Sequence, residues 1–200
     1  MYHKRKLVPF GEYTPMEGFI RTFIPVLSSL NILSEPLTEG KDSEVFDTEY
    51  GKIGSLICFD SIYEMLAVDS VRDGAELLTL STNDSWFSDS AAVWQHNSHA
   101  ALRAIETGRY VVRAANTGVS TVITPEGRTI AKIKPLETGY ASATVYLRDG
   151  RTLYSYVGNF FVLVAFLSVV FIAAYPRVKK YIEDEKNRPQ KPERRHFMDY

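Results

Sequence analysis

The chain has 200 residues, of which 45% are hydrophobic, 24% charged and 12% aromatic, a mixture that excludes a disordered chain, a collagen-like repeat and a coiled coil. A net charge of −1 carries no global basic excess of the kind a nucleic-acid binder shows, and a single cysteine excludes an intrachain disulfide. The mean hydropathy of −0.14 would suit a soluble enzyme, but the apolar residues are unevenly spread.

In chain order, residues 1–13 are basic and then aromatic, and residues 14–50 read as long loops or lids. Lys52–Cys58 (KIGSLIC) is a short apolar run after a glycine turn and predicts a buried strand. Asp60–Arg72 has helical spacing, with Ile62, Met65, Leu66, Val68 and Val71 on one face and Gly74 as the stop. Glu76–Thr82 (ELLTLST) predicts another strand. Trp94–Thr107 predicts a helix ended by Gly108. Tyr110–Ala115 and Val119–Thr124 predict two strands joined by the turn Asn116-Thr117-Gly118, and Pro125-Glu126-Gly127 is a further turn. Ile130–Ile133 and Ala141–Leu147 complete the expected strands. Strands alternating with helices, followed by adjacent strands, predict an α/β layered sandwich over residues 1–151.

The composition then changes. From Thr152 to Pro176 there is no Asp, Glu, Lys or Arg, and Val157–Tyr175 is long and apolar enough for a transmembrane helix. Tyr154, Tyr156 and Tyr175 sit where interfacial aromatic belts would fall, and Pro176 and Arg177 close the segment. Residues 176–200 form a polar tail with eight basic and five acidic residues, +3, while residues 1–175 carry 15 basic and 19 acidic, −4. The positive-inside rule places that basic tail in the cytoplasm and residues 1–151 across the membrane. The N-terminus has no apolar stretch of the signal-peptide kind to carry those residues over.

Cys58 stands at the carboxyl end of a predicted strand, just before a helical stretch. Ligands collect at that end of strands in α/β folds, and a helix start favours thiolate and oxyanion. A lone cysteine is equally at home as a small buried hydrophobe, so position alone leaves both readings open. His96 and His99 lie three apart on a predicted helix, but no third ligand cluster accompanies them and no metal is expected. Arg103, Glu106, Arg109 and Arg113 are expected to make structural ion pairs.

Several runs taken together go further. They are Tyr2-His3-Lys4-Arg5-Lys6-Leu7-Val8-Pro9-Phe10-Gly11-Glu12, Gly54-Ser55-Leu56-Ile57-Cys58-Phe59-Asp60-Ser61, Asn83-Asp84-Ser85-Trp86-Phe87, and the Arg103–Arg109 and Arg113–Gly118 stretches. With the terminal apolar helix, they resemble the nitrilase (carbon–nitrogen hydrolase) superfamily, and within it the C-terminal portion of the apolipoprotein N-acyltransferase family. The resemblance implies a partial αββα sandwich and a Glu–Lys–Cys site. Cys58 would be the nucleophile, Lys4 the oxyanion-stabilising cation and Glu12 an accessory carboxylate. Phe59, Asp60 and Trp86 would meet substrate, Asp60 standing where the family often has Glu. The implied donor is a phospholipid and the implied acceptor a diacylglyceryl lipoprotein, with no cofactor and no nucleic acid. The implied place is a bacterial inner membrane, with the globular part extracytoplasmic.

The family's general-base glutamate precedes the lysine motif, and no residue here matches it. The chain is therefore expected to be a truncated or split enzyme that needs a missing N-terminal half, which would also explain how residues 1–151 cross the membrane. An inactive membrane-anchored remnant or interaction module is the alternative. A nitrilase-type amidase fits less well with the terminal helix.

Overall fold

The structure, a computed structural model, describes residues 1–23 and 37–187. Six strands form one mixed sheet in sequence order. β1 (Val45–Thr48) and β2 (Gly51–Ile57) make an antiparallel hairpin. β3 (Leu77–Asn83) and β4 (Val111–Asn116) run parallel to β2. β5 (Ser120–Ile123) and β6 (Thr129–Ile133) return antiparallel.

Parallel neighbours need long crossovers. α1 (Glu17–Phe23) lies before the sheet, and the crossovers are α2 (Glu64–Arg72), from β2 to β3, and α3 (Ala91–Thr107), from β3 to β4. Both helices lie on one face. Alternation along the strands turns Leu56, Leu78, Leu80 and Val111 toward it, where Leu66, Ala67 and Val71 of α2 and Ala100 and Ala104 of α3 cover them. Each buried leucine contributes about 1.5–3 kcal/mol. The other face presents small, incompletely buried residues such as Ser55, Thr79 and Ala114. The described unit is thus one helical layer on one sheet, half of an αββα arrangement.

The helix stops fall where the sequence places them: Gly108 caps α3 with φ +66°, and Gly74 follows α2 with φ +100°. Four expectations change. The stretch 60–72 is not one helix, because a 3₁₀ turn over Cys58–Ile62 precedes α2 and extended Tyr63 separates them. Residues 14–50 contain α1 and β1, and residues 24–36 lie outside the described residues. Ala141–Leu147 forms no strand, since alternation alone gives no partner backbone. Nearby, Arg148 N–H reaches the Glu76 carbonyl at 3.2 Å, one bond and no ladder.

The fourth change concerns the apolar helix. The chain divides into compact units at Met1–Gly158 and Asn159–Tyr200. α4 (Leu153–Val157) belongs to the first, capped by Thr152 and held by Arg72, which donates to the Ser155 and Tyr156 carbonyls. Gly158, at φ +52°, separates it from α5 (Phe160–Lys186). α5 starts later than read and runs through Pro176 rather than ending there. Proline forfeits one N–H, and in the interrupted turn Arg177 donates its guanidinium to the Ala173 carbonyl at 2.7 Å. The most apolar 18-residue stretch of Phe160–Asp184 has a mean hydropathy of 2.2, so α5 is by length and composition a candidate membrane span. The part of the tail from residue 188 on lies outside the described residues.

Candidate active site

Cys58 follows β2 directly, at the carboxyl end of a parallel strand, with φ +51°. A left-handed backbone costs a residue bearing a Cβ about 1–2 kcal/mol, so the surroundings must hold it. Before it, Ile57 N–H donates to Asp60 Oδ2 at 3.1 Å. After it, the Cys58 carbonyl accepts from Ser61 Oγ at 2.8 Å.

Asp60 does more than brace this turn. It is 0% exposed. Beyond Ile57 it accepts from Tyr2 Oη (2.8 Å), Arg5 N–H (3.1 Å) and Lys6 N–H (2.8 Å). Four donors from two segments meet on one carboxylate, which pins the N-terminal arm beside the cysteine turn. Asp60, expected to meet substrate, is spent on this latch and is not part of the cavity wall. Burial foremost, then the Asp60 charge and hydrogen bond, push the Tyr2 phenol well above its usual value.

The pinned arm carries Lys4. Its ammonium meets both Glu12 oxygens, at 2.7 and 2.6 Å, with the side chains 11% and 15% exposed. Glu12 Oε2 also accepts from Val8 N–H at 2.9 Å. The structure therefore brings Lys4 and Glu12 together as a sheltered pair. The arm enters the cavity wall at Val8 rather than at Lys4.

That cavity, about 310 Å³, opens on Cys58. Its wall is mainly apolar: Phe59 and Ile62 from the turn, Trp86 and Phe87 from the 3₁₀ turn Ser85–Phe87 that follows β3, and Val8. Phe59 packs edge-on against Tyr63, while Trp86 remains 49% exposed. His99 lines the same wall, and burial followed by the charges of Arg103, His96 and Arg113 pushes its pKa down.

Behind the cysteine lies a buried polar chain. His96 Nε2 is 3.3 Å from the Cys58 carbonyl oxygen and 3.2 Å from Ser61 Oγ. Its Nδ1 is 2.8 Å from Asp84 Oδ1, which also accepts from Thr82 Oγ1 at 3.0 Å. Asp84 Oδ2 accepts from Arg113 Nη2 at 2.6 Å. Burial alone would raise the Asp84 pKa, but the His96 bond and the Arg113 charge outweigh it and hold the carboxyl below the usual range. Arg113 donates through Nε to the Val119 carbonyl, and its buried Nη1 has no partner among the described residues. A Cβ at Gly118 would collide with the Asp84 carboxylate, so glycine is what lets the β4–β5 turn close over it.

α3 contributes twice more. Arg103 Nη1 donates to the Ser61 and Ile62 carbonyls, at 2.8 and 2.9 Å, while its other nitrogens grip Glu106. The expected ion pairs thus appear for Arg103 with Glu106, and for Arg113 with Asp84 rather than with a glutamate. Arg109 instead serves carbonyls, those of Ala75 and Gly150. Sequence reading passed over the link from His96 to Asp84 and Arg113. One signal was available. The buried positions of α3 are Val93, His96, Ala100, Arg103, Ala104 and Thr107, a helical stripe in which His96 and Arg103 must find buried partners.

The chain is 33% identical over 173 residues to the apolipoprotein N-acyltransferase of Haemophilus ducreyi, covering 85% of this chain and 34% of that protein. It is 39% identical over 163 residues to that of Gloeobacter violaceus, covering 80% and 30%. The chain spans about a third of the length of these curated relatives. A solved nitrilase-superfamily structure from Saccharomyces cerevisiae matches with a TM-score of 0.43 at 29% identity, over 51% of this chain and 40% of that one. Residues 1–154 match the carbon–nitrogen hydrolase family, and the chain belongs to that family.

Proposed function

We propose that the Cys58 site carries out N-acyl transfer in lipoprotein maturation. The observation that carries this reading is a left-handed cysteine opening on an apolar cavity, with a sheltered Lys4–Glu12 pair on the arm that Asp60 ties to the cysteine turn. The Cys58 thiolate attacks an ester carbonyl of a phospholipid. The tetrahedral oxyanion collapses with loss of the lysophospholipid alkoxide, which takes a proton, and leaves a Cys58 thioester. The α-amine of a diacylglyceryl-cysteine lipoprotein then attacks that thioester. An amide forms, the C–S bond breaks, and the amine proton returns the thiol.

Lys4 stabilises the oxyanion and Glu12 holds the lysine in place. Phe59 and Trp86 form the apolar wall for the acyl chain. Asp60 serves the site through the arm it pins. α5 keeps the domain at the bilayer that holds both substrates. Arg177, Lys179 and Lys180, in its last turns, favour a cytoplasmic tail, with residues 1–151 on the outer side of a bacterial inner membrane.

Intact-mass spectrometry of the full chain in detergent micelles tests this. With p-nitrophenyl palmitate, whose leaving group needs little proton transfer, a palmitoyl adduct is expected on the wild type and none on Cys58→Ser. No adduct on the wild type, or an equal one on the variant, would remove Cys58 as the acyl carrier.

A further inference from the structure

The mechanism above uses neither His96 nor Asp84 nor Arg113, yet all three are buried next to the cysteine turn. We propose that His96 is a positioning residue for Cys58, donating Nε2–H to the Cys58 carbonyl while Asp84, fixed by Arg113, holds the ring through Nδ1–H. This rests on the reading of Cys58 as the nucleophile.

The hydrogen-bond inventory assigns the protons. Asp84 is held as an anion by Arg113 and Thr82, so the nitrogen 2.8 Å from Oδ1 must donate. That places a proton on Nδ1. At the other end, Nε2 faces two oxygens. The Cys58 carbonyl can only accept, and the Ser61 hydroxyl lies 2.8 Å from that carbonyl and 3.2 Å from Nε2. A bond to the Cys58 carbonyl requires Nε2 to carry a proton of its own. In the proposed arrangement both ring nitrogens carry protons, and the Asp84 carboxylate stands between His96 and Arg113. The other charged or titratable groups around it are Arg113, with Nη2 3.4 Å from Nδ1, and His99 and Arg103 on its own helix. Cys58 is among the groups whose charge offsets the desolvation of Arg113, so the arginine end of the chain also reaches the thiol.

The geometry gives His96 a task that packing would not require. Cys58 holds a left-handed backbone without being glycine. Asp60 holds the Ile57 N–H one residue back, and the amide plane that follows Cys58 is held through its carbonyl by Ser61 and His96. Losing the His96 donor leaves the Ser61 hydroxyl alone on the carbonyl. The turn then relaxes toward ordinary φ and the Sγ swings away from the cavity.

Because Cys58 is the only cysteine, its alkylation by iodoacetamide reads the thiol directly, without any acyl donor. The full chain in detergent micelles is compared with His96→Gln, whose amide nitrogen can take the place of Nε2, and His96→Leu, which fills the space without a donor. We expect His96→Leu to alkylate about tenfold more slowly, the loss of one charge-assisted hydrogen bond, and His96→Gln to regain most of the rate. A folded His96→Leu that alkylates at the wild-type rate, or a His96→Gln as slow as His96→Leu, overturns the proposal. If His96→Leu does not fold, the wild type decides. In long-range proton–nitrogen correlation spectra of histidine-labelled chain at neutral pH, both His96 ring nitrogens must appear protonated, with the signal assigned by its loss in His96→Gln. An unprotonated Nε2 overturns the assignment. Normal alkylation behaviour in a chain that carries no acyl group would instead sink the acyl-transfer reading and leave this one standing.

Discussion

At the residue scale, Asp60 shows how one side chain joins two parts of a site. Its four donors come from Tyr2, Arg5, Lys6 and Ile57. Asp60→Asn keeps the shape but offers an NH₂ where a donor already points. We expect a loss of about 2–3 kcal/mol in denaturant unfolding. The Tyr2 phenol is raised above its model-compound value of 10.0, so its neutral form stabilises the fold. That contribution is complete below about pH 10 and fades as pH rises further, because the unfolded chain then ionises Tyr2 while the folded one resists. Stability measured from pH 9 upward is expected to fall more steeply in the wild type than in Tyr2→Phe. Asp84 works in the opposite direction. Its carboxyl is depressed below 3.8, so its contribution is complete above about pH 4 and is lost on acidification below that. The lone cysteine at a strand end was legible as a candidate from sequence. The buried chain behind it was not, because Asp84 and Arg113 lie 29 residues apart and only the sheet register makes them neighbours.

At the element scale, periodicity was a good guide wherever an element has one buried face. β2 through β5 and α3 fall within a few residues of their expected places, because alternating or helical apolar spacing and glycine stops coincide there. β1 was missed since Val45–Thr48 is a four-residue edge strand with no fully buried position. Ala141–Leu147 was over-read because a suitable pattern does not supply a neighbour. The β4–β5 turn carries its own inconsistency. Thr117, β-branched, sits at φ +59°. Replacing it with Gly or Asn removes that strain, and we expect a gain of about 0.5–1 kcal/mol in unfolding free energy. By contrast, Gly118→Ala drives a methyl into the Asp84 carboxylate and should cost about 1–3 kcal/mol in the same measurement.

At the scale of the whole molecule, the nearly neutral total conceals two parts of opposite sign, −4 over residues 1–175 and +3 over residues 176–200. α5 exposes Phe161, Leu163, Phe166, Leu167 and Phe171 along its length. Such a surface is stable only in lipid or detergent, so the chain is expected to remain with membranes through alkaline carbonate extraction. Leu167→Arg puts a charge at mid-span, at about 2.5–3.5 kcal/mol, and should shift a measurable fraction into the soluble extract.

The latch on Asp60 also has a consequence in time. It closes contacts spanning 54 to 58 residues of sequence, so the arm pays its loop-closure entropy only after β2 and its turn exist to receive it. Held at its near end by three hydrogen bonds to one acceptor, the arm is a unit of local opening. The Arg5 and Lys6 amides should therefore exchange with deuterium together, faster than Leu80 in the central strand, and every such opening briefly carries Lys4 away from the thiol. The assembled site then exists for only the fraction of time that one carboxylate keeps the arm docked.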